Sequence, residues 1–367
     1  MLKQKEHFHG SDLEKIEKIY GIRKEDIISF SANVNPLGIS FRLRETLAKH
    51  LDAITSYPDR EYTSLRKCIG AYIGADFNHI LVGNGSTELI SLFIQSKHPN
   101  KALIVGPTYS EYEREVSLGG GRCHYFSLAE ENDFVLDIHA LMEELDSNVD
   151  LLILCNPNNP TSSTVSRADM RQILDFCKRR DITVLVDETY VEFAENTEEL
   201  TAIPLTEYYN NIIILRGISK FFAAPGLRLG YAVCGNRDLL KEIDKKKNPW
   251  TINSLAAIAG EIMFTDDEYI KETKKLISTE RSRICSILQK NGKFKVYPSH
   301  ANFVLVKILD DKLTSKDIFE AAIRKNMMIR DCSTFPFLNN KYFRFCFMLP
   351  EQNDALLNVI QSNIRFM

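Results

Sequence analysis

The feature that most constrains this chain is an alternation, between about residues 50 and 245, of short apolar runs with stretches of helical periodicity. The runs are HILVG, KALIVG, CHYFSL, DLLILC, ITVLVDE, NIIILRG and GYAVCG. Such alternation predicts βαβ units around a mainly parallel sheet with helices on both faces. The runs are rich in Val and Ile and lack polar alternation, as expected of strands buried on both sides. We therefore predict an α/β fold whose large domain holds a mainly parallel, seven-stranded sheet.

The last third of the chain has a different pattern. Long helical periodicity fills residues 251–290, and FKVYP, NFVLVKI, MMIRDC and YFRFCFM are typical of strands, with helices expected near 315–325 and 351–364. These elements predict a small α+β C-terminal domain. The predicted division is 1–40 for an N-terminal segment that joins the small domain, 41–249 for the large domain and 250–367 for the small domain.

The N-terminal segment contains one predicted helix, from Asp12 to Tyr20, with Ser11 as its N-cap and Gly21 at its end. The sequence FSANVNPLG, residues 30–38, follows it and is rich in turn residues. We expect this stretch to be extended and to cross between the two domains.

Composition and charge narrow the class of protein. The 367 residues are 44% hydrophobic and 26% charged, as in ordinary globular proteins, and 46 basic residues nearly balance 49 acidic ones. This balance disfavours nucleic acid and anionic membranes as partners. Apolar runs fall short of the roughly 20 residues of a spanning helix, and the N-terminal sequence MLKQKEHFHG is too polar for a signal peptide. Because the eight cysteines are scattered without a CxxC pair, we expect reduced thiols in a cytoplasmic enzyme that binds no metal.

Polar residues directly follow three of the predicted strands. Asp187 and Tyr190 come after one strand, and Ser219 and Lys220 come after the next, eight residues before Arg228. Ligands of open α/β sheets bind at the carboxyl ends of strands, so these side chains are candidates for a site. A buried acid at this edge needs a cationic partner.

A third strand runs into a glycine-containing turn, Gly85-Ser86-Thr87, with a helix predicted from Leu89. Free backbone N–H groups in such a turn bind anions. Taken alone, a turn of this kind is more often a structural connection. Pyridoxal phosphate, however, requires a lysine for its Schiff base, an acid at its pyridine nitrogen and an anion cradle for its phosphate, and all three are present here.

With these residues, the chain resembles the class I and II aminotransferase superfamily of fold type I pyridoxal-phosphate enzymes over nearly its whole length. The resemblance implies that Lys220 binds the cofactor covalently and shuttles protons, and that Asp187 keeps the pyridine nitrogen protonated. Tyr190 and Asn159, the latter in Asn-Pro-Asn-Asn-Pro-Thr, would both bond the ring oxygen. Tyr109 would stack on the ring. The groups implied for the phosphate are Gly85, Ser86, Thr87, Ser219 and Arg228.

The resemblance also implies a homodimer, because Tyr57, in Tyr-Pro-Asp, matches a tyrosine that reaches the phosphate of the neighbouring subunit's cofactor. One departure is notable. The family's loop usually reads Asn-Pro-Thr-Gly, whereas Ser162 follows Thr161 here. The backbone freedom of glycine is lost at that position.

Two activities within the superfamily remain open. Four segments favour decarboxylation of L-threonine O-3-phosphate or serine phosphate, as in threonine-phosphate decarboxylases of cobalamin biosynthesis. They are His9-Gly10, residues 30–38, PWTINSLA at 249–256 and IRDCSTFP at 329–336. The last usually continues with Gly where Phe337 stands. The alternative is a histidinol-phosphate aminotransferase of histidine biosynthesis, with 2-oxoglutarate as acceptor.

For both the decarboxylase and the aminotransferase, the substrate is a small phosphorylated amine or amino acid. Arg344 matches the superfamily's carboxylate-binding arginine, a role that suits its planar guanidinium. Arg330, His9 and Asn35 could contact the substrate phosphate or carboxylate, although Arg330 could equally form a surface salt bridge and His9 could lie in a tail. A regulatory protein without catalysis is disfavoured, because the first 40 residues leave no room for a DNA-binding domain.

Overall fold

The structure is a computed structural model that describes residues 12–145 and 148–365. The helices are α1 Leu13–Tyr20, α2 Phe41–Lys49, α3 Thr63–Ile73, α4 Gly85–Lys97, α5 Glu111–Leu118, α6 Ile138–Glu144, α7 Arg167–Lys178, α8 Thr197–Leu200, α9 Arg237–Lys246, α10 Ser254–Met263, α11 Asp267–Gln289, α12 Ser315–Ile323 and α13 Pro350–Arg365. The strands are β1 Ile28–Ser29, β2 Ile80–Gly83, β3 Lys101–Gly106, β4 Arg122–Ser127, β5 Leu151–Cys155, β6 Thr183–Asp187, β7 Ile212–Gly217, β8 Gly230–Val233, β9 Phe294–Val296, β10 Phe303–Ile308, β11 Met327–Met328, β12 Arg330–Asp331 and β13 Tyr342–Cys346.

Seven strands form the large sheet in the order β2-β8-β7-β6-β5-β3-β4. All seven correspond to the apolar runs of the sequence, so the predicted α/β fold is confirmed. Every pairing from β7 to β4 is parallel, whereas β8 runs antiparallel between β2 and β7. The sheet is therefore mainly parallel, as predicted, with one reversed strand.

The strands of the large sheet supply two separate hydrophobic clusters, one on each face. In β5, Leu152 and Leu154 belong to the first cluster, and Leu151 and Ile153 belong to the second. Successive side chains of a strand point to opposite faces, so a strand covered on both faces must be apolar throughout. This explains why polar residues do not alternate in the runs. Helices α4, α5 and α9 contribute to the second cluster.

The C-terminal part of the chain forms a four-stranded antiparallel sheet in the order β12-β13-β10-β9, called here the small sheet. The run MMIRDC, predicted as one strand, is two. Met327–Met328 pairs in parallel with Ile28–Ser29, while Arg330–Asp331 pairs with β13. The N-terminal segment thus joins the small-sheet side of the molecule through β1.

The first helix begins at Leu13, with Asp12 at the N-cap position, and ends at Gly21, whose φ is 68°. Ser11, predicted as the N-cap, lies outside the described residues. At the other predicted boundary, α10 packs against α2 and α3. Helix α10, predicted to begin the small domain, thus contacts two helices of the region predicted as the large domain.

A partly buried acid, Glu130, ties the two sheets together. The carboxylate of Glu130, in the loop after β4, accepts hydrogen bonds from Lys307 at 2.6 and 2.8 Å, from Tyr297 at 2.8 Å and from Tyr342 at 2.7 Å. Burial works to raise the pKa of Glu130, but these donors and the Lys307 charge outweigh it and lower the pKa to about 2. Glu130 therefore fixes the loop to the small sheet as an anion.

All eight cysteines are free thiols, and five of them are buried. Among the residues that the structure describes, no helix is long and apolar enough to cross a membrane.

Candidate active site

A cavity of about 550 Å³ opens at the carboxyl edge of the large sheet, between that sheet, the small sheet and the segment that follows β1. Cys155, Asp187 and Gly217 end three neighbouring strands and all line it. The other predicted site residues that line it are Ser86, Thr87, Tyr109, Asn159, Tyr190, Ser219, Lys220, Arg228, Arg330 and Arg344. The fold thus brings together residues that are up to 313 positions apart in the chain, Ser31 and Arg344.

Lys220 lies in the turn after β7, and its Nζ donates a hydrogen bond to the carbonyl oxygen of Ala32 at 2.6 Å. Burial lowers the pKa of Lys220 to about 8, and the nearby charges of Arg344 and Arg228 act in the same direction. An amine with this pKa is uncharged, and so nucleophilic, to a much greater extent near neutral pH than an exposed lysine.

Asp187 is buried at the end of β6, and both of its carboxylate oxygens accept hydrogen bonds. The hydroxyl of Tyr112 donates to Oδ2 at 2.7 Å. Thr189 donates to Oδ1 from its backbone N–H at 2.9 Å and from its hydroxyl at 2.5 Å. Because burial keeps the pKa of Tyr112 well above its usual value, this hydroxyl remains a donor. The carboxylate is therefore held in one orientation, facing the cavity.

A cradle with the geometry to accept an anion forms where α4 begins. The helix starts at Gly85, four residues earlier than predicted, so Ser86 and Thr87 belong to its first turn, where N–H groups are free. Arg228 closes the cradle, with Nη2 3.4 Å from the carbonyl oxygen of Asn84. A Cβ atom on Gly85, whose φ is 81°, would lie 2.4 Å from Nη2 of Arg228. A side chain here would displace the guanidinium group and would be strained by the positive φ, so glycine suits this position.

The floor of the cradle is a row of glycines on three adjacent strands. Gly230 is the register partner of both Gly83 and Gly217. A Cβ atom on Gly230 would lie 2.5 Å from the backbone nitrogen of Ser86. The first turn of α4 can rest on the sheet edge because no side chain stands between them.

Two arginines form the wall of the cavity on the small-sheet side. Arg344 donates to Oδ1 of Asn159 and, at 2.7 Å, to the carbonyl oxygen of Ser31. Arg330, its register partner on β12, donates to the hydroxyl of Thr334 at 3.1 Å. The Nε atom of Arg344 is buried and makes no hydrogen bond within the described residues. The Nε–H group of Arg344 is therefore a donor that no group in the described part of the protein accepts.

The remaining predicted groups complete the cavity wall. Tyr109 lies edge-on to Tyr112, with ring centroids 5.6 Å apart. Nδ2 of Asn33 donates to the hydroxyl of Tyr190 at 3.3 Å. Asn33 comes from the segment 30–38, which was predicted to be extended but contains bends and a turn, with a φ of 56° at Asn33. Ser31, Ala32 and Val34 of the same segment also line the cavity.

Asn35 and Tyr57, which were predicted as site residues, do not line this cavity. The side-chain amide of Asn35 is buried and donates to the carbonyl oxygen of Phe221 at 2.8 Å and to the hydroxyls of Tyr269 and Thr273 at 2.9 and 2.8 Å, so its contacts are structural instead of directed at a substrate. Tyr57 is 80% exposed and packs on Trp250, with ring centroids 4.8 Å apart. His9 lies outside the described residues.

Sequence reasoning missed Tyr112, Thr189 and Asn33. The order Asp187-Glu188-Thr189 is typical of a turn in which an aspartate accepts the N–H two residues later, and this signal could have identified Thr189. Tyr112 gave no comparable signal, because a buried tyrosine on a helix is usually a core residue.

Residues 25–360 match the protein family described as aminotransferase class I and II. The chain belongs to this family. It is 32% identical, over 96% of both chains, to the threonine-phosphate decarboxylase of Salmonella typhimurium.

Two solved structures of similar proteins share the family's fold. The histidinol-phosphate aminotransferase of Clostridium acetobutylicum superposes with a TM-score of 0.86 at 29% identity, over 92% of this chain and 99% of that one. The L-threonine-O-3-phosphate decarboxylase of Porphyromonas gingivalis superposes with a TM-score of 0.81 at 26% identity over the same shares. Both likenesses cover 92% of this chain, so they concern the fold as a whole.

The family's cofactor, pyridoxal phosphate, is the one expected for this chain. The cavity fits it chemically, because it offers a helix N-terminus with hydroxyls and an arginine for a phosphate, a carboxylate, a tyrosine ring and an amine. Its charged lining within the described residues comprises Asp187 against Lys220, Arg228, Arg330 and Arg344. Four cationic side chains against one carboxylate suit ligands with several negative charges.

Proposed function

We propose that the protein is a pyridoxal-phosphate-dependent carboxy-lyase of cobalamin biosynthesis. Its substrate is L-threonine O-3-phosphate or serine phosphate, and its product is an amino-alcohol phosphate. The observation that carries this proposal is the pair Arg330 and Arg344 on one wall of the cavity. A substrate with a phosphate and a carboxylate needs two cationic partners beyond Arg228 at the cofactor phosphate, and the wall supplies two. The resemblance to the Salmonella typhimurium enzyme supports the same reaction.

The residues around the cofactor take the roles implied by the family. Gly85, Ser86, Thr87, Ser219 and Arg228 bind its phosphate. Asp187 bonds the pyridine nitrogen, Tyr190 and Asn159 bond the ring oxygen, and Tyr109 stacks on the ring. When bound, pyridoxal phosphate supplies a conjugated system that accepts the electron pair of a broken Cα bond.

Decarboxylation breaks the bond between Cα and the carboxylate carbon, releases carbon dioxide and replaces the carboxylate at Cα by a proton. Lys220 would deliver this proton. Its amine lines the cavity, where it donates to the carbonyl oxygen of Ala32, and it lies close enough to Arg344 for that charge to lower its pKa. Arg330 and Arg344 hold the phosphate and the carboxylate of the substrate. These two contacts hold the bond between Cα and the carboxylate perpendicular to the plane of the cofactor ring. This orientation selects that bond for cleavage.

Amino-group transfer from histidinol phosphate to 2-oxoglutarate is the second candidate. The resemblance to the Clostridium acetobutylicum structure favours it, and Arg344 suits a carboxylate of 2-oxoglutarate equally well. In that reaction the Cα–H bond faces Lys220, so the same residues serve a different substrate pose. The two activities are therefore distinguished by products.

A homodimer with two composite sites is part of the proposal. Tyr57 lies outside its own chain's cavity and is exposed, as expected of a side chain that completes a neighbouring site. It borders a hollow of about 280 Å³ between α10 and the turn after α2. The exposed apolar side chains Phe41, Leu51, Ile54, Tyr57 and Trp250 lie on or beside these elements. An apolar surface of this kind favours self-association.

The test is to incubate the purified holoenzyme separately with O-phospho-L-threonine, O-phospho-L-serine, and histidinol phosphate plus 2-oxoglutarate. The proposal predicts carbon dioxide and an amino-alcohol phosphate from a phosphoamino acid, with no 2-oxoacid required. The Lys220→Ala variant, which should fold because Lys220 contributes a single hydrogen bond to Ala32, serves as the inactive control. Glutamate formation from histidinol phosphate, with no gas from either phosphoamino acid, would establish the aminotransferase instead.

A further inference from the structure

Ser162 makes an unusual contact between the loop after β5 and the start of β10. Its Oγ accepts hydrogen bonds from the backbone N–H groups of His300 and Ala301, both at 2.8 Å. The side chain is fully buried, and the backbone has a φ of 61°, a conformation that favours glycine. A serine is thus retained in a glycine-like conformation where its hydroxyl meets two donors.

No other acceptor for these two N–H groups is found in the part of the chain that the structure describes. Removing the hydroxyl would therefore leave two backbone donors without a protein partner, which is unfavourable for buried groups. We call this contact, between Ser162 Oγ and the N–H groups of His300 and Ala301, the anchor. It depends on one side-chain oxygen.

The anchor joins the two halves of the cavity. On the loop side, Asn159 precedes Ser162 by three residues and accepts a hydrogen bond from Arg344. On the small-sheet side, Ala301 lies two residues before β10, in which Leu305 is the register partner of Arg344. The loop is therefore held at two points, at Ser162 by the backbone that precedes β10 and at Asn159 by Arg344 on the adjacent strand β13. The first contact limits how far the second can move.

We propose that Ser162 is a positioning residue that fixes the distance between Arg344 and the cofactor-binding residues of the large sheet. The inference rests on the proposed function in one respect, that the ligand of Arg344 is a carboxylate of the substrate. Without the anchor, β10 and β13 shift relative to the loop and the substrate carboxylate is held in a poorer position. Cofactor binding is largely retained, because Lys220, Asp187 and the cradle lie at the edge of the large sheet, and Asn159 is the one proposed cofactor contact in the loop.

The experiment compares three variants. Ser162→Gly removes the hydroxyl and tolerates the positive φ, and Ser162→Ala removes the hydroxyl alone. Ser163→Ala is the matched control, because the Ser163 hydroxyl pairs within the loop, with Thr161 at 2.8 Å. In cofactor-free protein, we expect amide hydrogen exchange at residues 300 and 301 to accelerate at least about tenfold in both Ser162 variants and to stay unchanged in the control.

In the holoenzyme, both Ser162 variants should raise KM for the phosphoamino acid at least about tenfold, whereas the dissociation constant of the cofactor should change by less than about threefold. Unaltered exchange, or accelerated exchange with an unaltered KM, overturns the positioning role. If the proposed function itself is wrong, the wild-type holoenzyme releases no carbon dioxide from either phosphoamino acid. The hydrogen-exchange comparison then decides by itself whether the contact of Ser162 with residues 300 and 301 stabilises the structure.

Discussion

Arg330 and Arg344 occupy directly opposite positions on two neighbouring strands, and both guanidinium groups line the same cavity. Two like charges in this arrangement repel each other unless anions lie between or beside them. Burial and the charge of Arg344 both lower the pKa of Arg330. The wall is thus suited to a ligand with more than one negative group.

Loss of either arginine should weaken substrate binding much more than cofactor binding. For Arg344→Gln and Arg330→Gln, we expect kcat/KM for the phosphoamino acid to fall by at least about thirtyfold, the scale for a buried charge-assisted contact. The cofactor's visible spectrum should remain that of the wild type. Arg324→Gln removes an exposed arginine of the same region and should change neither quantity. Unchanged kinetics in both site variants would contradict the proposed substrate class.

The amine of Lys220 should titrate well below an ordinary lysine in cofactor-free protein. The uncharged amine is the reactive form, so reductive methylation of Lys220, followed by peptide mass spectrometry, should rise with pH with a midpoint near 8. Arg344→Met removes one of the charges that lower this pKa and should move the midpoint upward. Arg344→Lys keeps the charge and should leave it in place. A midpoint above 10 in the wild type would refute the effect of burial.

Tyr112 should support catalysis through Asp187. Tyr112→Phe deletes one hydrogen bond to the carboxylate while keeping the ring, so we expect a fall in kcat of about tenfold and an altered pH dependence of the cofactor's visible spectrum. Tyr125→Phe is a suitable control, because its hydroxyl bonds Glu113 outside the cavity, at 2.8 Å. If both variants behave like the wild type, Tyr112 is only a core residue.

Tyr57 should act across a dimer. Light scattering should give twice the mass of the 42.0 kDa chain, and Tyr57→Ala should release the cofactor more readily than the wild type. Tyr208→Ala removes another exposed tyrosine, distant in sequence from α10 and the hollow, and should have no such effect. A fully active monomer at assay concentration would exclude the composite site.

Glu130 should stabilise the molecule as an anion. Its folded pKa of about 2 lies below the ordinary value of 4.5, so its contribution is fully present above pH 4.5 and is lost as pH falls through about 2. Glu130→Gln should lower the free energy of unfolding at pH 7, by about 1–3 kcal/mol, and this difference should shrink with acidification. The neighbouring, exposed Glu131 provides the control, Glu131→Gln, for which urea titrations should show little change.

The large sheet and the cavity residues at its edge followed from local sequence. Strands buried on both faces must be apolar throughout, and the end of a parallel strand locates a site without knowledge of the whole fold. This is why Asp187 and Lys220 could be predicted to lie together. The start of α4 at Gly85 was missed, because glycine has a low helix propensity and so does not indicate a helical residue. Free N–H groups are also expected at this position whether it is a turn or the first turn of a helix.

Other features depend on contacts between distant parts of the chain. Asn35 has a polar side chain in a segment that does line the cavity, and only its partners Tyr269 and Thr273, more than 230 residues away, make it structural. The division of MMIRDC into two strands likewise depends on β1, some 300 residues earlier. No local pattern reports such pairings.

The reversed strand β8 has a consequence for the order in which this protein can become functional. The anion cradle requires Gly85, at the start of α4, to meet Arg228 and Gly230, nearly 150 residues later. Contacts of such long sequence separation form late in folding, after the intervening chain has been synthesised and ordered. A growing chain that ends before β8 therefore has β2, α4 and Asp187 but no closed cradle, and cofactor capture must follow completion of the large sheet.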